Sequence, residues 1–115
     1  SPLEVWLGGR APRALERAGR IGDGWLAGRM TIDEAAAAKR EIDDAAAAAG
    51  REVSPEHFGL NLGYAWDGSL PPLRERISEA VAAGLSKIVV RPAVPPEDWR
   101  TDLRRLAEEV LDLQT

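Results

Sequence analysis

The residues best suited to chemistry are two glycine turns and a few arginines. Gly8-Gly9-Arg10 follows a short apolar run, Val5-Trp6-Leu7, and precedes Ala11-Pro12. Glycines let backbone N–H groups come close to an anion. A helix beginning just after them adds unpaired donors and the positive end of its dipole. Arg10 brings a planar guanidinium fork that matches a phosphate. Together these make Gly8, Gly9 and Arg10 the expected contacts for a phosphorylated ligand. The plainer alternative is a tight strand-to-helix turn beside a solvated arginine. Arg29, Trp66 and Arg91 sit after later apolar runs in comparable places and are candidates for the substrate or anion side of the same site. Each has a plainer role too: Arg29 could flank a helix cap at Thr31, and Arg91 could pair with Glu97 or Asp98.

Several other chemistries are excluded. The sequence has no cysteine, so disulfides and thiolate metal sites are ruled out, and its single histidine, His57, rules out a histidine cluster. No nucleophile–base pair, carboxylate pair or metal set stands out, so no catalytic residue can be named and no metal is expected. Asp23, inside Gly22-Asp23-Gly24-Trp25, is expected to hold a turn together. His57 precedes a strand and is expected to be structural. Trp6, Trp25 and Trp99 are expected to pack between layers, with Trp66 the more ligand-accessible of the four. The net charge of −4 and pI near 5.0 lack the basic excess of a nucleic-acid binder. No apolar run approaches a membrane span and no signal-peptide layout is present, so a cytoplasmic location is the default expectation. At 115 residues the chain is expected to form one domain, residues 1–115, and a first residue Ser1 rather than Met suggests a processed chain or part of a longer one.

The elements that must position these residues alternate. Strands are expected at Leu3 to Leu7, Trp25 to Ala27, Phe58 to Trp66 and Lys87 to Arg91, the last with Ile88-Val89-Val90 as a buried core. Between them, helices are expected from Pro12 to Ala18, stopping near Gly19; from Ile32 to Ala49, opened by a Thr31–Glu34 capping box and closed at Gly50; and from Leu73 to Ala83, ended by Gly84. Pro95-Pro96 begins a last, amphipathic helix with Trp99, Leu103, Leu106, Val110 and Leu111 along one stripe. Four βα units imply an α/β fold with a parallel sheet, which fits either an open doubly wound sheet or half of a (β/α)8 TIM barrel. Half a barrel would have two raw strand edges and would recruit another half or a second copy.

The two glycine motifs, Trp6-Leu7-Gly8-Gly9-Arg10-Ala11-Pro12 and Gly22-Asp23-Gly24-Trp25-Leu26, resemble the C-terminal half of the luciferase-like monooxygenase family. Ala48-Ala49-Gly50-Arg51 and Lys87-Ile88-Val89-Val90-Arg91-Pro92 also have counterparts there, so the resemblance spans nearly the whole chain. It implies a C-terminal half-barrel of a (β/α)8 oxidoreductase or monooxygenase that uses FMN or the deazaflavin coenzyme. Hydride transfer or oxygen activation would occur once an N-terminal half-barrel completes the pocket. It also implies cofactor-phosphate binding at Gly8, Gly9 and Arg10. Many relatives carry Ser where this chain has Ala11, which leaves the phosphate to backbone N–H groups and Arg10. The alternative is a non-catalytic half-barrel that associates with itself as a homodimer and keeps a vestigial anion site.

Overall fold

A computed structural model describes residues 3–113. The chain runs β1 (Trp6–Leu7), α1 (Pro12–Ile21), β2 (Gly24–Ala27), α2 (Ile32–Ala48), β3 (Phe58–Tyr64), α3 (Leu73–Ala82), β4 (Lys87–Pro92) and α4 (Trp99–Val110), closing with a 3-10 turn at Leu111–Leu113. The four strands are parallel and lie in the order β1-β2-β3-β4. When each crossover leads to the next strand with the same hand, every helix falls on one side of the sheet.

Register sorts the side chains accordingly. Leu7 pairs with Trp25, Trp25 with Phe58, Leu60 with Ile88 and Leu62 with Val90, and these residues share the face that meets the helices. There they form one core with Leu15 and Ala18 of α1, Ala35, Ala38 and Ile42 of α2, and Leu73, Ile77 and Ala80 of α3. On the other face lie Trp6, Leu26, Asn61, Lys87, Val89 and Arg91, with glycines between them. Large side chains lean across those glycines: a methyl group on Gly24 would stand 2.6 Å from the Trp6 ring, and one on Gly59 would stand 2.9 Å from Leu26 Cδ1. Among the described residues no helix covers this second face, and Val89 is 47% exposed there. A doubly wound sheet carries helices on both faces. Sequential strands with helices on one face are the arrangement of half a (β/α)8 barrel.

Several boundaries differ from expectation for identifiable reasons. β1 is cut to Trp6–Leu7 because Leu3 and Val5 are exposed, although Val5 still exchanges bonds with Asp23. α1 does not stop at Gly19 but continues to Ile21. Gly19 is there for a close helix crossing: an added Cβ would meet Ile42 O at 2.4 Å and Ala45 Cβ at 2.8 Å. β3 ends at Tyr64, so Trp66 lies beyond the strand. Ile88-Val89-Val90 is not buried throughout, because β4 alternates and Val89 faces the open side. α4 begins at Trp99, after Asp98 rather than at the prolines, with Asp98 accepting from the Arg100 N–H at 3.1 Å and the Thr101 hydroxyl at 2.6 Å. Its inward row is Asp102, Leu106, Val110 and Leu113, spaced i, i+4, i+8 and i+11, which turns Trp99, Leu103 and Leu111 outward. Trp25 is thus the tryptophan fully enclosed between sheet and helices, whereas Trp99 is exposed.

Candidate functional site

The turn after β1 is shaped by one glycine and one indole. Gly9 has φ +105°, and a Cβ there would also sit 2.9 Å from Ala14 Cβ, so no L side chain suits the position. The indole N–H of Trp25 donates to the Gly9 carbonyl at 3.0 Å, which fixes the plane of the turn. A Cβ on Gly8 would meet only the Leu26 carbonyl, at 3.7 Å, and one on Gly28 would meet nothing within 4 Å. The backbone at the ends of β1 and β2 therefore borders open space. α1 starts here with Ala11 as N-cap, which offers no side-chain cap, and Pro12 in the first turn.

Arg10 spans from this turn to the start of α2. One terminal nitrogen donates to the Arg29 carbonyl at 3.3 Å and the other to Glu34 Oε2 at 2.7 Å. Glu34 also completes the expected capping box: its Oε1 accepts from the Thr31 N–H at 2.9 Å, while its own N–H donates to Thr31 Oγ1 at 3.1 Å. Hydrogen bonding to the backbone and hydroxyl of Thr31 holds the Glu34 carboxyl below the usual carboxylate range, with a smaller pull from Arg10. Arg10 and Glu34 border a groove of about 240 Å³ between α1 and α2, with Leu15 and Met30 on its walls. The sequence showed the Thr31–Glu34 box but gave no signal that Glu34 would also hold Arg10.

The remaining candidates separate. Arg29 is exposed, and its backbone rather than its side chain is tied to Arg10. Arg91 lies level with Gly63 on the open face of the sheet, and among the described residues it forms no ion pair with Glu97 or Asp98. Trp66 is engaged with α4: its indole N–H donates to Asp102 Oδ1 at 2.8 Å, and the Arg105 guanidinium stacks 4.5 Å from its ring centroid. The Tyr64 hydroxyl donates to the other Asp102 oxygen, and the Tyr64 and Trp66 rings lie 5.2 Å apart. Burial, with the Asp102 hydrogen bond and charge, pushes the Tyr64 phenol up to about 12. Asp102 is the buried acid that the sequence analysis missed. Its place in the inward row with Leu106 and Val110 was the available signal.

Comparison with known proteins places this geometry. Residues 1–110 match the family model described as luciferase-like monooxygenase. The chain belongs to that family. Among solved structures it is similar to the coenzyme F420-dependent tetrahydromethanopterin reductase from Methanopyrus kandleri, at 14% identity and TM-score 0.75, covering 99% of this chain and 52% of that one. It is also similar to monooxygenase RslO1 from Streptomyces bottropensis, at 18% identity and TM-score 0.57, covering 97% of this chain and 48% of that one. The chain spans about half the length of each. No curated protein sequence matches it.

Within this luciferase-like frame, Asp23 and His57 fall at the opposite end of the strands from Gly8 and Gly9. Asp23 Oδ2 accepts from the Val5 N–H at 2.8 Å, so its bond joins β1 to β2 rather than closing its own turn. His57 Nδ1 donates to the Asp23 carbonyl at 2.7 Å, its Nε2 lies 3.3 Å from Glu4, and its ring meets Trp6 at 5.4 Å. These contacts brace the start of the sheet, and no reacting group is poised among them. Among the described residues no group of acids or histidines could hold a metal ion, and no helix is long and apolar enough to cross a membrane.

Proposed function

We propose that this chain is the C-terminal half-barrel of a flavin- or deazaflavin-dependent oxidoreductase and that its Gly8-Gly9-Arg10 corner holds the cofactor phosphate. The observation that carries this reading is the left-handed Gly9, pinned by Trp25, with open space at Gly8 and Gly28, and Arg10 next in sequence with its guanidinium held at the Arg29 carbonyl and Glu34. A turn built of glycine backbone with an adjacent arginine fits a phosphate, and membership of the luciferase-like family supports FMN or the deazaflavin coenzyme as its bearer. When bound, such a cofactor supplies the redox chemistry. The chain's own residues bind and orient: the turn fixes the phosphate end, and Arg91 on the open face, with Arg29 at the rim, provides positive charge on the substrate side. Trp66, held by Asp102 and Arg105, gives that rim a fixed wall.

Titration with FMN and with the deazaflavin coenzyme, followed by fluorescence, tests the assignment. Arg10→Ala should weaken binding about tenfold or more, as expected for loss of a charged hydrogen bond. Unchanged affinity sinks it.

The exposed Val89 on an uncovered sheet face, between two open strand edges, favours a partner there. The reading is an N-terminal half-barrel as that partner. The second reading, a homodimer of this chain without catalysis, predicts a discrete dimer by light scattering and no cofactor binding.

A further inference from the structure

We infer that Glu34 is a built-in competitor for the anion at the Gly8-Gly9-Arg10 corner, so that a ligand phosphate engages Arg10 by displacing the Glu34 carboxylate. The inference rests on the proposal that this corner binds phosphate. Both terminal nitrogens of Arg10 are occupied, one by the Arg29 carbonyl and one by Glu34 Oε2. Each of these nitrogens keeps a second N–H, so a phosphate that takes both as a fork shares one nitrogen with the Glu34 carboxylate, and repulsion between two anions on the same nitrogen favours release of Glu34. Glu34 can leave without dismantling the fold. Its two oxygens have separate duties: Oε2 binds Arg10, while Oε1 accepts from the Thr31 N–H. Release of Oε2 keeps the cap, so α2 stays in place. The Arg10 and Glu34 side chains are 62% and 48% exposed, which makes their pair weak and exchangeable.

Two consequences follow from this arrangement. The corner binds anions less tightly than a bare arginine would. It also discriminates: a ligand carboxylate carries the same charge as the resident group and gains little by replacing it, whereas a dianionic phosphate monoester gains charge.

Glu34→Gln separates these effects, because Gln at this position preserves the capping box. FMN affinity should rise about two- to fivefold, the scale of one exposed ion pair. Inorganic phosphate should compete with FMN far better than acetate against the wild-type chain. The gain from Glu34→Gln should vanish in an Arg10→Ala background. Asp43→Asn removes the same charge from the same helix, where Asp43 pairs with Lys39 at 2.8 Å, and should change nothing. If Glu34→Gln leaves affinity unchanged while Arg10→Ala lowers it, the competitor role is wrong and the phosphate site stands. If Asp43→Asn tightens binding equally, the effect is long-range charge and the competitor role is wrong. If neither the wild-type chain nor any variant binds FMN, the phosphate site itself is overturned and the competitor with it.

Discussion

The indole N–H of Trp25 donates to the carbonyl of Gly9 at 3.0 Å, and that bond joins the two glycine motifs of the chain. Side chains of the same pair of segments meet elsewhere too. Asp23 Oδ2 accepts from the Val5 N–H at 2.8 Å, and the Trp6 ring lies over Gly24, where a methyl group would be 2.6 Å away. Asp23, Gly24 and Trp25 therefore each touch the segment that ends in Gly8-Gly9-Arg10, whereas Gly22 closes α1 through its N–H to the Ala18 carbonyl. The second motif holds the first in shape, and the proposed phosphate contact falls on the first alone.

Trp25→Phe tests that dependence. Phe keeps an aromatic ring in the core but loses the bond to Gly9 and leaves a small void. A loss of about 1–3 kcal/mol is expected, roughly 1 of it from the hydrogen bond and the rest from the void. Urea denaturation should show a lower midpoint, and FMN affinity should fall with it as the turn loosens. An unchanged midpoint and affinity would mean that the turn does not need Trp25.

How much of this was legible in the sequence depends on the range of the signal. The Thr31–Glu34 box, Gly50 and Gly84 are local devices, and all three act as expected: the box is complete, and both glycines have positive φ. The strand–helix alternation was equally plain, because it follows from short apolar runs between amphipathic ones. What failed were positions where a local signal competes with a long-range contact. Gly19 looked like a helix stop, but α2 packs so closely that only glycine fits mid-helix. On α4 the apolar residues alone point to the wrong stripe, because the inward row includes the buried Asp102. Its donors, Tyr64 and Trp66, lie more than thirty residues away in sequence. The choice between half a barrel and a doubly wound sheet required strand order, which no single segment encodes.

Gly19→Ala should destabilise the chain in spite of better helix propensity. Alanine gains about 1 kcal/mol in a helix interior. Here its methyl group would press on Ile42 O and on Ala45 Cβ, with Ala46 N also within 2.9 Å, and two of these three atoms are backbone. The α1–α2 crossing must open, at a cost of about 1–3 kcal/mol or more. A lowered melting temperature with α1 amides exchanging faster is the expected result. A stabilised variant would show that the crossing has slack.

Glu34 offers a pH test with a definite sign. Its folded value is depressed, so its contribution to stability is present above the ordinary carboxylate value and is lost as pH falls through the lower folded one. The Thr31 bonds outweigh Arg10 as the cause. Side-chain carboxyl NMR titration should therefore find Glu34 still depressed in Arg10→Ala. Return of Glu34 to its ordinary value in that variant would make Arg10 the main cause and the cap secondary.

Tyr64 and Asp102 give the most specific reporter, because the sequence holds a single tyrosine. Tyrosinate absorbance during alkaline titration is then a signal from Tyr64 alone. In the wild-type chain the phenol should ionise near 12, against about 10 for an unfolded tyrosine. A raised phenol favours the folded state fully below pH 10 and loses that contribution as pH rises toward 12. Asp102→Ala removes the carboxylate that accepts from Tyr64 and faces its charge, so the midpoint should drop toward 10 while staying above it, since burial is the larger cause. The same substitution leaves the Tyr64 hydroxyl and the Trp66 indole N–H without their acceptor, at about 2–4 kcal/mol for the pair. Asp102→Asn keeps one acceptor oxygen and should lie between the two. α4 is the helix that Asp102 ties to the end of β3, so proteolysis near Asp98 should accelerate in the order wild type, Asn, Ala. A Tyr64 midpoint that does not move in Asp102→Ala would mean that the carboxylate is not its partner.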